Sequence, residues 1–417
     1  MNTYLNRIIS FIKGPIVMFF ILFYFSPEAQ GYWYIFISFG IIAIIIDFGF
    51  SIILTQEVGH VYAKYLDKKK LPVEFYSQVK TLGIHFTKFY IILLIIFCLY
   101  NLTVAFFYLD LYKLEWLLYS FLLCAQFLLS PFHHIYMGID KVSEVQYSLF
   151  LGNLFSSIAL LVALYVGLEF YSLSIGVGAN IVITSFNFFK KSRLFWVNLV
   201  EAKSMEDDVQ RKRLKSLQKD FAISWISGYF IFNTIVPFVG KTYGIEVAGQ
   251  VGLIFNLASF ILALSIVYSY NSIPYFNISI ANKKLGAAKN KFIRTIYIST
   301  FLYFGLTLGF LFFLLYVAPL MELSERFPTI LLTLCILLWT YLRLMSSVLA
   351  NYYRAFKIEP FRNLNILLSF VITSILLLGH FYSIKLLVIF ISIVVTYFLL
   401  TLSHVTINHN KWSSNLK

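Results

Sequence analysis

Charge is scarce in this chain of 417 residues: Asp, Glu, Lys and Arg supply 12% of it, against 60% hydrophobic residues. A soluble domain carries about 25% charge, so this composition lacks the polar surface that a water-facing fold needs. Cysteine is scarcer still. Cys98, Cys124 and Cys335 stand singly inside apolar runs with no C-x-x-C pair, which argues against a metal centre or a disulfide framework and reads as packing thiols. Acids are the minority charge, 19 against 33 Lys and Arg. No constellation of acid, base and nucleophile stands out. The tripeptide "DFG" at 47–49 lies in an apolar run, with no glycine-rich phosphate loop and no catalytic "HRD", so it carries no kinase meaning. The reading is a non-enzyme that needs neither cofactor nor metal.

What is abundant is apolar length. Runs of around 20 residues recur along the chain, rich in Ile, Leu and 45 Phe, and each is long enough to cross a bilayer as a helix. Twelve such spans are expected, near 8–25, 32–56, 89–108, 116–137, 147–167, 172–189, 221–240, 250–273, 296–318, 329–350, 364–381 and 386–407. The first, Ile8 to Phe25, is followed at once by "SPEAQG" and another span, so it reads as a retained helix and not a cleaved signal. The fold class is an all-α polytopic membrane protein.

Orientation follows from the basic residues. Of the 33 Lys and Arg, 28 fall on the side of the termini, counting Lys13 near that end of the first span, four (Lys113, Lys241, Arg326 and Lys385) on the other, and Arg343 deep within a span. Both termini are therefore expected on the cytoplasmic side. The net charge of +14 is this asymmetry. Spread over short loops, it suits anionic lipid headgroups and not nucleic acid.

The longest polar segment, Lys190 to Asp220, contains "EDDVQRKRLK", where Asp207/Arg211 and Asp208/Lys212 are i, i+4 pairs suited to a solvated helix. It divides the chain into an N-terminal six-helix bundle (1–195), a cytoplasmic linker (196–219) and a C-terminal six-helix bundle (220–417). "SPEAQGYWYIFISF" and "GIEVAGQVGLIFNL" echo one another: Glu28 and Glu246 each stand three residues before a glycine, Gly31 and Gly249. Six spans per half make the repeats parallel, an arrangement that places a cavity between halves in transporters. Gly305 and Gly309 have G-x-x-x-G spacing, read as a local helix contact.

Intramembrane charge is the main functional signal, because an ion in hydrocarbon costs about 2.5 kcal/mol or more. Asp47 lies nine residues inside the second span and Arg343 seven inside the tenth. Three readings stay open for them: an ion pair with each other; a cavity lining, with Arg343 on an anionic substrate and Asp47 as a coupling-ion site; or, for Asp47, a helix-breaking hydrogen bonder beside Gly49. Lys13, next to Gly14-Pro15, either snorkels to the interface or joins Arg343 as a second cation for a phosphate group. His133 and His134 follow Pro131 and are either structural or in contact with an anion or a proton path.

The stretches "FSPEAQGYWYIFISFGIIAIIIDFGFSIILTQEVGH" (25–60), "GYFIFNTIVPFVGKTYGIEVAGQVGLIFNLASFI" (228–261) and "LANYYRAFKIEPF" (349–361) resemble Wzx-type O-antigen and polysaccharide flippases, in the superfamily that includes the multidrug and toxin extruders. The resemblance implies a MATE-like fold of two bundles. It also implies a cargo, undecaprenyl diphosphate carrying an O-antigen or capsule oligosaccharide, moved from inner to outer leaflet during polysaccharide biosynthesis. A polysaccharide polymerase and chain-length machinery would be partners beside that lipid-linked oligosaccharide. A multidrug or small-solute cation antiporter of the same fold is the alternative. A membrane polymerase is a further one, disfavoured because the outer loops are too short for a catalytic domain.

Overall fold

A backbone in hydrocarbon must satisfy its own hydrogen bonds, and a helix does so within one segment. The computed structural model describes residues 2–47, 50–65, 71–204, 227–356 and 360–414, and among them there are helices and no strand. In chain order these are α1 (Asn2–Tyr24), α2 (Pro27–Gly40), α3 (Ile42–Ile45), α4 (Phe50–Ala63), α5 (Val73–Thr103), α6 (Lys113–Gly138), α7 (Val142–Tyr165) and α8 (Tyr171–Glu201). After 226 come α9 (Ile235–Tyr243), α10 (Ile245–Ser265), α11 (Val267–Ala281), α12 (Leu285–Phe312), α13 (Ile330–Arg354), α14 (Arg362–Phe381) and α15 (Leu386–Ser414).

Nine helices among the described residues are long and apolar enough to cross a membrane. Their outer faces carry bare aromatics such as Phe107, Phe121, Phe301 and Phe381, as a hydrocarbon solvent allows. The expected count of twelve is not reproduced as twelve continuous spans. The second is interrupted between α3 and α4 at a turn that holds Asp47. The seventh begins in residues outside the description, and its α9 is nine residues long. The external loop expected at 241–250 reduces to Gly244, whose φ of +106° joins α9 to α10; a side chain at that φ would be strained. At the other end of the domain division, α8 runs on through Glu201, so the polar segment after Lys190 begins as helix. The Asp207/Arg211 and Asp208/Lys212 pairs lie outside the described residues.

By packing, the chain forms two units, one of residues 1–25 and 39–226, the other of 26–38 and 227–417. The start of α2 thus belongs with the C-terminal helices. Tyr32 to Phe36 are buried all round, which marks a central helix. Gly31 and Gly249, the matched glycines of the two echoes, lie against each other: a Cβ built on Gly249 would be 2.8 Å from the Gly31 nitrogen. Gln30 spans the same seam, donating to the carbonyls of Gly249 at 3.0 Å and Arg326 at 3.3 Å.

The repeat is visible inside each unit. Val73–Tyr108 and Leu285–Leu320 are both 36 residues long, and each has five residues of π-helix near its end, Val104–Tyr108 and Phe313–Val317. The interruption at Asp47 falls 19 residues after Glu28, and Ser265, where α10 ends, falls 19 after Glu246.

The G-x-x-x-G pair behaves otherwise than expected. A Cβ on Gly305 or Gly309 would meet nothing within 4 Å, so among the described residues this spacing makes no close helix contact. Cys98 and Cys124, separate in sequence, meet across α5 and α6 with sulfurs 3.9 Å apart, both as free thiols.

Sidedness is open to direct measurement. Ser204 and Lys241 are both exposed, so single cysteines there, with the three native ones removed, are expected to react with impermeant maleimide from opposite faces. Labelling from one face would overturn the charge-derived orientation.

Candidate functional site

Asp47 ends a helix because its side chain competes for backbone N–H groups. Its carbonyl accepts from Phe50 N–H at 2.8 Å and its Oδ2 from Ser51 N–H at 3.2 Å, so the carboxylate caps the start of α4, where the helix dipole favours negative charge. Its Oδ1 accepts from the Ser51 hydroxyl at 2.8 Å and from the Tyr90 hydroxyl of α5. Ser51 Oγ also lies 2.8 Å from Ser130 Oγ on α6. An acid in apolar surroundings requires donors of this kind, and three elements converge to supply them. One turn further along α4, the Thr55 hydroxyl lies 2.9 Å from His134 Nδ1. His134 is therefore the histidine linked to the Asp47 network. His133 turns the other way, is buried, and sets its ring edge-on to Phe188 at 4.7 Å.

The second unit holds the opposite charge. Arg343 on α13 places its guanidinium carbon 3.9 Å from the centre of the Phe232 ring, a cation–π contact worth up to about 2 kcal/mol when desolvated. Phe232 stacks on Trp339, whose other contacts are the edges of Phe255 and Tyr397. Tyr270 and Tyr397 are within electrostatic reach of the guanidinium. Among the described residues no carboxylate lies within ion-pair distance of Arg343. A half-buried guanidinium has five N–H donors, and here its surroundings are aromatic.

Where the first unit has Asp47 and Ser51, the second has Ser265 and Ser269, at matching distances from Glu28 and Glu246. Ser269 Oγ accepts from Asn351 Nδ2 at 3.1 Å, the counterpart of the Ser51–Ser130 contact between α4 and α6. The repeats have thus diverged in charge, an acid in one and a cation in the other. Lys13 is half-buried in α1 two residues before Pro15, and α1 packs on α7; it is not among the partners of Asp47 in its own unit. The described residues hold no group of three potential metal ligands.

Sequence reasoning missed Tyr90, Ser130, Thr55 and Phe232. Ser51 alone carried a local signal, a hydroxyl four residues after an intramembrane acid, the spacing that closes one helical turn.

No protein-family model matches the chain, and no curated protein matches it. Solved structures do. An inward-facing conformation of a multidrug resistance MATE family transporter of the MOP superfamily superposes with a TM-score of 0.62 at 14% identity, over 98% of this chain and 95% of that one. The MATE multidrug transporter DinF-BH, solved in a ligand complex, gives 0.59 at 13% identity, over 99% and 94%. Together with the apolar helices and the repeated units, these matches show that the chain has the fold of MATE transporters.

Proposed function

We propose that this protein is a flippase that moves a lipid-linked oligosaccharide, held through undecaprenyl diphosphate, across the bacterial cytoplasmic membrane by alternating access. The observation that carries the proposal is Arg343, a cation kept among aromatic rings with no acid in ion-pair reach among the described residues. A site of that kind is suited to a diphosphate through charge-assisted hydrogen bonds, while the exposed ring of Tyr270, within electrostatic reach of the guanidinium, offers a face for a sugar. The polyprenyl chain can remain in lipid. The fold supports transport in general, and the resemblance of the 25–60, 228–261 and 349–361 segments to Wzx-type proteins supports the cargo.

A second reading comes from the matched structures, which are multidrug transporters: export of a small organic cation. An uncompensated Arg343 repels such a cargo, so the anionic lipid is preferred. In liposomes containing the purified protein, a labelled lipid-linked oligosaccharide is expected to become accessible to an enzyme added outside. Accessibility at the protein-free level, with the cognate glycan and an imposed ion gradient, alongside transport of a soluble cation, would favour the antiporter.

Asp47 is assigned to coupling in this scheme. It is a single acid on an interrupted helix, with hydroxyls from Ser51, Tyr90 and Ser130 around it. Asp47→Asn keeps the side chain's shape and removes its charge. The variant is expected to equilibrate substrate across the bilayer yet lose the acceleration that a proton or sodium gradient gives the parent. Undiminished stimulation by the gradient would leave Asp47 as the cap of α4 alone.

A further inference from the structure

Arg343 has a counterpart that the sequence does not single out. Lys291 lies six residues into α12, about 9 Å along the helix, and it is half-buried. Its ammonium donates to the Tyr268 hydroxyl at 2.9 Å and sits 4.6 Å from the centre of that ring and 5.7 Å from that of Tyr275. An ammonium has three N–H donors, and the described residues take one of them and offer no carboxylate. Arg294, one turn on, is exposed and adds its field at Tyr268. Beyond it, Tyr297 and Phe301 continue an exposed stripe on α12.

The tyrosines come from α11, the short helix that starts at the interruption matching Asp47. Tyr268 and Tyr275 are seven residues apart and share one face of it. Tyr270, two residues from Tyr268, lies on the opposite face, within electrostatic reach of Arg343. One helix therefore has a cation beside aromatics on each side, Lys291 towards the exposed stripe of α12 and Arg343 on the side of Tyr270, whose ring is also exposed.

We infer that the cleft of Lys291, Arg294, Tyr268 and Tyr275 between α11 and α12 is a binding site for the phosphate headgroup of a membrane lipid, and that it stages the lipid diphosphate before Arg343 receives it. Basic clefts between transmembrane helices at the headgroup level bind such groups, and the tyrosine rings hold the ammonium in place without neutralising it. The staging role rests on the function proposed above; the phosphate site itself does not.

The test uses the full chain in nanodiscs, with retained lipid read by native mass spectrometry for undecaprenyl diphosphate, phosphatidylglycerol and phosphatidylcholine. Lys291→Gln is expected to lower retention of undecaprenyl diphosphate about tenfold relative to phosphatidylcholine, the loss of one charge-assisted contact. Lys291→Arg should keep it. In the liposome assay Lys291→Gln should raise the substrate concentration for half-maximal flipping and leave the maximal rate near that of the parent. Loss of phosphatidylglycerol alone would keep the phosphate site, assign it to a phospholipid and overturn staging. Unchanged retention of both anionic lipids in Lys291→Gln overturns the site. Failure of the parent protein to retain the diphosphate above phosphatidylcholine is a separate result, and it strikes the proposed function.

Discussion

Arg343→Gln is expected to cut flipping in liposomes at least tenfold while leaving the melting temperature unchanged or raising it. Both halves of that result follow from the same geometry. The guanidinium is half-buried against Phe232 with no acid in ion-pair reach among the described residues, so the folded protein carries the cost of an uncompensated charge. Removing it relieves that cost. At least one charge-assisted hydrogen bond to a phosphate, at about 1.5–3 kcal/mol, is lost at the same time, which sets tenfold as a lower bound. Gain of stability with loss of activity is the mark of a residue kept for function. Arg343→Lys should fall between the two, since it keeps charge but gives up planar stacking on Phe232. If Arg343 instead serves as the structural partner of Asp47, Arg343→Gln must lower the melting temperature, and adding Asp47→Asn must restore part of it. That outcome, or normal flipping by Arg343→Gln, would remove the anion site from the mechanism.

The membrane class is legible in the sequence because a bilayer imposes a length and a polarity that few other solvents demand, and runs such as Phe89–Tyr108 satisfy both. The all-helical fold is legible for the same reason. Interruptions are not. Asp47 announces one, but hydropathy averages over it, and the matching interruption after Ser265 carries no charge at all. Gly244 reads as part of a loop because a single residue at positive φ leaves no trace in composition. At the site, Asp47 and Arg343 stand out as isolated charges. Their surroundings do not, since Tyr90 is one of 29 tyrosines and Phe232 one of 45 phenylalanines; only tertiary packing selects them. Lys291 reads as a loop cation, though α12 begins six residues earlier and includes it. The assignment of residues 26–38 to the C-terminal unit also lies beyond reach, for chain order places them in the first half.

The glycines of that segment give the second large effect. Gly249→Leu is expected to destabilise the protein by about 2 kcal/mol or more, in the range of overpacking in a closed core, with Gly249→Ala already harmful. A Cβ at 249 would lie 2.8 Å from the Gly31 nitrogen and 3.1 Å from its Cα, so it meets backbone, which cannot rotate aside. One turn on, a Cβ at Gly252 would run into the Cβ of Tyr34. Small residues at this spacing let two helices approach closely, and the Gln30 bonds to Gly249 and Arg326 then form across the seam. Separation of the helices would break those bonds and expose Tyr32 to Phe36. Gly305→Ala with Gly309→Ala supplies the contrast: the spacing is that of a packing motif, yet both positions face open space. There alanine should raise stability, since each replacement favours the helix by up to about 1 kcal/mol. Melting of detergent-solubilised protein, followed by size-exclusion fluorescence, separates the cases. A double 305/309 alanine variant that melts lower than the parent would show that those two positions are packed after all, and a Gly249→Leu variant that melts with the parent would show that the close approach of α2 and α10 is not what holds residues 26–38 to the C-terminal unit.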